Sequence, residues 1–83
     1  MTTGELKKII TQGREIELAY NGHPYFLAPL FSEGSFTNEY YIYDSLANCI
    51  LFIGCLYEIL SYQFSPGISF ERTIDVFDFK YIL

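Results

Sequence analysis

Hydrophobic and polar positions along this chain change period several times, and each change predicts an element. Thr2 and Glu5 have the spacing of a capping box, in which hydroxyl and carboxylate satisfy the exposed amides of a helix start. Leu6, Ile9 and Ile10 then share one face, and Gly13 stands where a left-handed cap ends a helix. The spacing predicts an amphipathic helix from about Thr3 to Gln12. From Arg14 to Tyr20 the period drops to two, with Ile16, Leu18 and Tyr20 set against Glu15, Glu17 and Ala19, the pattern of a half-buried strand. Asn21-Gly22 tolerates the positive φ angles of a type I′ turn and predicts a hairpin whose second strand runs from His23 to Phe31. Pro24 suits a strand start, whereas Pro29 removes a ladder amide and implies an edge position or a bulge. Ser32-Glu33-Gly34-Ser35 reads as a loop, and Asn38 to Tyr43 as a third strand.

Asp44 or Ser45 can cap a following helix, which the pattern carries to about Gln63. Placed at 100° per residue, Asp44, Asn48, Gly54, Glu58 and Ser61 fall in one sector of about 140°, and nearly everything else is apolar. Such a helix needs cover on more than one side, and Gly54 fits either a close approach of another backbone or a kink. Its charge-free run from Leu46 to Tyr57 is shorter than the ~20 residues of a membrane span and is flanked by acids, so a buried helix is expected and no membrane partner. Ser65-Pro66-Gly67 breaks the pattern, and Ser69 can cap a short turn in which Phe70 and Ile74 share a face. Phe77, Phe79, Tyr81 and Leu83 alternate with Asp78, Lys80 and Ile82 as a closing strand. The expected architecture is one α+β domain over residues 1–83. It has a mostly antiparallel sheet of about four strands with helices packed on one face, in the order α-β-β-β-α-β.

Composition narrows what such a domain can do. With 83 residues there is room for a single core, and 51% apolar against 18% charged residues is a globular composition. Five basic and ten acidic residues give a net charge of −5, and from Glu15 to Glu71 the chain has seven carboxylates and no Lys or Arg. Nucleic-acid binding draws its affinity from cations on phosphates, so direct nucleic-acid binding is not expected. The plain reading of the charge is an ordinary acidic protein, the sharper one mimicry of nucleic acid by displayed carboxylates. Cys49 and Cys55, placed in the expected helix, lie ~9 Å apart and about 120° apart in direction, which excludes a disulfide without breaking the helix and gives no shared metal-binding face. Buried, reduced thiols and a cytoplasmic location are the expectation, with no signal core at Met1 to Glu5 and no cofactor or metal signature.

Glu15-Ile16-Glu17-Leu18 leading into Tyr20-Asn21-Gly22 and Tyr25, then Tyr43-Asp44-Ser45-Leu46, and finally Gly67, Ser69-Phe70 and Tyr81-Ile82-Leu83 form a pattern. It resembles small uncharacterised proteins of Gram-positive bacteria and their mobile elements. The resemblance covers most of the chain. It rests on a hairpin turn, a helix start and a closing strand, so it implies a fold and carries over no catalytic residue.

Candidate chemistry is sparse. His23 is the only histidine, and beside a turn its plain reading is a surface residue; a nucleophile pair with Cys49 or Cys55 would need a polar cleft, whereas both sulfurs lie among Ile50, Leu51, Phe52, Ile53 and Leu56. Glu15 and Glu17, at i and i+2, are more commonly an outward-facing acidic edge strand than an acid–base pair. The aromatics are the stronger clue. Eight Tyr and eight Phe exceed what a domain this small buries, and Tyr25, Tyr41, Tyr43, Tyr57 and Tyr62 are the candidate interface residues, against the plain reading that an aromatic stripe is core. The first expectation is therefore a non-enzymatic protein that acts through protein–protein contact, as a homodimer, in a bacterium or mobile element. A second is an inhibitor of a nucleic-acid-handling defence enzyme, of the anti-CRISPR or anti-restriction kind, using Glu15, Glu17, Glu33, Glu39 and Glu58. A third is a small enzyme built on His23 and the cysteines.

Overall fold

The computed structural model describes all 83 residues, Met1 to Leu83. Helix α1 (Thr3–Thr11) starts at the capping box: Thr2 Oγ1 accepts from the Glu5 amide at 3.1 Å, and Glu5 Oε1 from the Thr2 amide at 3.2 Å. After Gly13 the chain enters β1 (Ile16–Tyr20). Asn21 and Gly22 both hold positive φ, 51° and 79°, and β2 (His23–Ser32) returns antiparallel. The same device joins β2 to β3 (Ser35–Asp44): Glu33 and Gly34 take φ 52° and 80° while Ser32 pairs with Ser35. The expected loop is thus a tight turn, concealed because an L residue such as Glu is seldom placed in the left-handed region.

The helix expected from Asp44 to Gln63 does not form. Asp44 does cap one turn, its Oδ1 accepting from the amides of Leu46 and Ala47 at 3.0 Å each, with the Asn48 amide bonded to the Asp44 carbonyl at 2.8 Å. Asn48 then takes φ 57° and reverses the chain into β4 (Cys49–Gly54), antiparallel to β3. Helix α2 (Leu56–Ser61) is all that remains of the expected element. A helix start and the turn of this hairpin share their first hydrogen bonds, so the cap cannot choose between them; the apolar run Ile50-Leu51-Phe52-Ile53, packed along β3, decides for strand. Gly54 serves a close approach, though to side chains rather than a backbone: a Cβ there would stand 2.9 Å from both the Glu58 Cβ and the Phe52 ring.

Two single turns of 3-10 helix, Phe70–Arg72 and Ile74–Val76, bury Phe70 and Ile74 before β5 (Asp78–Ile82) closes the sheet. The five antiparallel strands run in the order β4-β3-β2-β1-β5. Pro29 therefore lies in the central strand and is accommodated by a slip of register between Pro29 and Phe31, the bulge of the two alternatives. β1 is second from an edge, which corrects its reading as an acidic edge strand. Opposite β1, Glu17 faces Tyr81 and Leu18 faces Phe79, so Lys80 is the extra residue of a bulge. That bulge inverts the expected alternation, leaving Ile82 packed on the core and Tyr81 exposed.

Helices and 3-10 turns occupy one face of the sheet. Leu6 and Ile10 of α1, Ile59 and Leu60 of α2, and Phe70, Ile74 and Phe77 meet Ile16, Leu18, Leu27, Tyr40 and Ile42 in one core. No helix is long and apolar enough to cross a membrane.

Candidate interaction surface

Strand alternation divides the sheet into a covered and an open face. Tyr40, Ile42 and Asp44 of β3 point under the helices and are buried, so Tyr41 and Tyr43 between them point away. Cross-strand register then fixes who joins them. One row runs Tyr81, Glu17, Phe26, Tyr43 and Ile50 from β5 to β4, and the next joins Ala28, Tyr41 and Ile53. No element covers these rows: Ile50 and Ile53 are 50% and 44% exposed, Tyr41 and Tyr43 half-buried, and only the short Ala28 between larger side chains is buried. Burial holds the Tyr41 phenol above its ordinary pKa, and the Glu15 carboxylate adds to that. The Tyr43 hydroxyl donates to Asn48 Oδ1, tying the β3–β4 turn to this face.

The open face is not uniform. Its β1–β5 half carries Glu17, Asp78 and Lys80, and the last two form an ion pair. Its β2–β4 half holds Phe26, Ala28, Tyr41, Tyr43, Ile50 and Ile53, with Glu39 next to Tyr41 on β3 and the Glu15 carboxylate beside it at the margin.

Of the five candidate tyrosines, Tyr41 and Tyr43 lie on this surface and the others elsewhere. Tyr25 and Tyr62 pack edge-on to Phe64, at 4.8 and 4.9 Å between ring centres, and Phe64 also meets Phe70 and Phe77 at 5.3 and 4.9 Å. That cluster belongs to the helix side of the sheet and absorbs much of the aromatic surplus; burial raises the pKa of both Tyr25 and Tyr62, with the Asp44 charge contributing. Tyr57 stands exposed on α2 with Lys7 Nζ 5.8 Å from its ring centre. Phe26, Ile50, Ile53 and Tyr81 are members the sequence reading missed. Phe26 could have been found from its alternation with Leu27, but Ile50 and Ile53 were hidden by the helix assignment.

Of the acidic candidates, Glu17 is on the open face, and Glu15 and Glu39, two residues before Glu17 and Tyr41, lie on the same side; Glu33 sits in the β2–β3 turn, and Glu58 belongs to the helix layer, where it accepts from the Cys55 amide at 3.0 Å. That amide holds the Glu58 carboxyl below its ordinary value.

His23 Nε2 lies 2.8 Å from Asp44 Oδ1, and its ring stacks on Tyr25 at 4.7 Å. The Ala47 amide foremost, with His23 and Leu46, lowers the Asp44 pKa against the opposing effect of burial. Cys49 stands opposite Asp44 in the β3–β4 register, yet neither cysteine is hydrogen-bonded to His23. The expectation of buried thiols is corrected: Cys49 is exposed and Cys55 half-buried, because Cys49 opens β4 and Cys55 is the N-cap of α2 instead of both lying inside one helix. The same strand separates them by roughly 17–20 Å, beyond the reach of a disulfide. No three His, Cys, Asp or Glu side chains converge. A cleft of about 260 Å³ between the end of α1 and the β2–β3 hairpin is lined by Thr11, Gln12, Gly13, Pro29, Phe31, Phe36 and Tyr40, none of them a carboxylate, cation or thiol.

No model of a known family, no curated protein and no solved structure matches this chain.

Proposed function

We propose that this chain is a non-enzymatic protein-interaction module that works through the β2–β4 half of its open sheet face. The observation that carries the reading is the contiguous apolar group of Phe26, Tyr41, Tyr43, Ile50 and Ile53, bordered by Glu39 and Glu15, on a face with no covering layer. Contiguous apolar patches on this scale mark protein contacts, and tyrosine suits them because it joins a large apolar body to a polar tip. Self-association is the form the reading takes first, in a cytoplasmic setting within a bacterium or mobile element. Two unbridged cysteines, one of them exposed, suit a reducing compartment, and the sequence resemblance supports that origin.

Light scattering on the eluting protein tests it. Wild-type molar mass should rise above 9.6 kDa with concentration, and Ile50→Lys, a change on the open face of β4, should keep it at 9.6 kDa. A wild-type chain that stays at its monomer mass throughout, with no exposed apolar surface reported by dye binding, would contradict the reading.

A further inference from the structure

Resting on the reading above, we infer that the partner is a second copy of this chain, joined edge to edge through β4, so that two sheets become one continuous sheet and their apolar half-faces one surface. β4 is the terminal strand of the sheet and no element pairs with its outer side. From Ser45 to Tyr57 the chain has no charged residue and no proline, two of the devices that keep exposed edges from pairing, and its one such feature is the bulge at Leu51. An antiparallel two-fold between Leu51 and Phe52 overlaps all of Cys49–Gly54 and sets Ile50 against Ile53 of the second copy. Both residues already share the open face, because the bulge after Ile42 brings Ile50 level with Tyr43 and Ile53 level with Tyr41.

Charge distribution selects this geometry over stacking two open faces. Each copy carries −5, and a face-to-face pair would lay Glu17 of β1 on apolar surface, leaving a carboxylate desolvated with only the bulge residue Lys80 nearby. Joined at β4, the two copies keep Glu17 three strands, or ~14 Å, from the junction, beyond the ~8 Å screening length of physiological salt, and leave Glu39 of β3 exposed to solvent rather than laid on apolar surface. A pair of six-residue strands with their flanking side chains falls at the low end of specific interfaces, below about 1,200 Å² in total, so the equilibrium is expected in the micromolar range.

Backbone amide exchange, read residue by residue at micromolar and at millimolar protein, tests this on the wild-type chain, with molar mass measured alongside. The expected result is a mass approaching twice 9.6 kDa with alternate amides of Cys49–Gly54 slowed about tenfold or more and those of β5 unchanged. Ile53→Lys, folded by circular dichroism, should abolish both the mass increase and the slowing. A dimer whose β4 amides exchange as in the monomer overturns edge pairing while leaving the open-face reading in place. A monomer at every concentration overturns edge pairing, and the open-face reading falls with it when that monomer binds no apolar dye.

Discussion

The two edges of this sheet are finished differently. Both carry a bulge, at Leu51 in β4 and at Lys80 in β5, but only β5 adds charge, with Asp78 and Lys80 paired along it. β5 is also strapped down: Arg14 donates from Nε to the Leu83 carbonyl at 3.3 Å and from Nη2 to the Ile82 carbonyl at 3.1 Å, and the Leu83 amide bonds Glu15 at 2.8 Å. β4 has neither feature. Since bulges are common to both, the difference isolates charge and tethering as what closes one edge and leaves the other open to pairing.

Phe77 anchors the entry to β5, 7% exposed and packed on Tyr20, Phe64 and Phe70. Phe77→Ala should cost about 3–5 kcal/mol in chemical denaturation, whereas Ile50→Ala on β4 should cost less than about 1 kcal/mol, because its side chain is half in water. Equal losses would mean the edges are held alike. Lys80→Ile removes the guard from β5 and should raise the association constant about tenfold by light scattering, with the new protection appearing in β5; no change would leave the tether alone as its safeguard.

Acid should act on the turn that launches β4. The folded Asp44 carboxyl titrates below its ordinary value, so its contribution to stability is complete above the ordinary carboxylate range and is lost as pH falls through the folded pKa. Asp44→Asn should lower the melting temperature by several degrees at neutral pH and make it fall less steeply on acidification. A parallel fall in both proteins would remove Asp44 from the account. The smallest change expected is at the β2–β3 turn, far from either contrast. Glu33→Asn relieves an L side chain of φ 52° and should stabilise the domain by about 0.5 kcal/mol in denaturant titration without altering association.

How much of this was legible follows from where local and tertiary signals agree. The Thr2–Glu5 box, the Ile16–Leu18 alternation and Asn21-Gly22 each specify their element within a few residues, and each formed. Asp44 to Asn48 carries a helix-start signal that serves equally well as a hairpin turn, and only packing of Ile50 to Ile53 along β3 resolves it. Lys80 gives no sequence sign of being a bulge, so Tyr81 and Ile82 were assigned to the wrong faces. For the interaction surface, Tyr41 and Tyr43 were legible from alternation, while Tyr25 and Tyr62 were drawn into the core by Phe64, which lies in none of the predicted elements after Gln63.

The contrast between the edges can be read in one measurement. In a sample mixing isotope-labelled and unlabelled chains at millimolar concentration, intermolecular nuclear Overhauser contacts report which strands meet. Pairing through β4 predicts contacts between Ile50 of one copy and Ile53 of the other, and none across β5. Contacts confined to β5 or to the helix layer, or none at all, would contradict it.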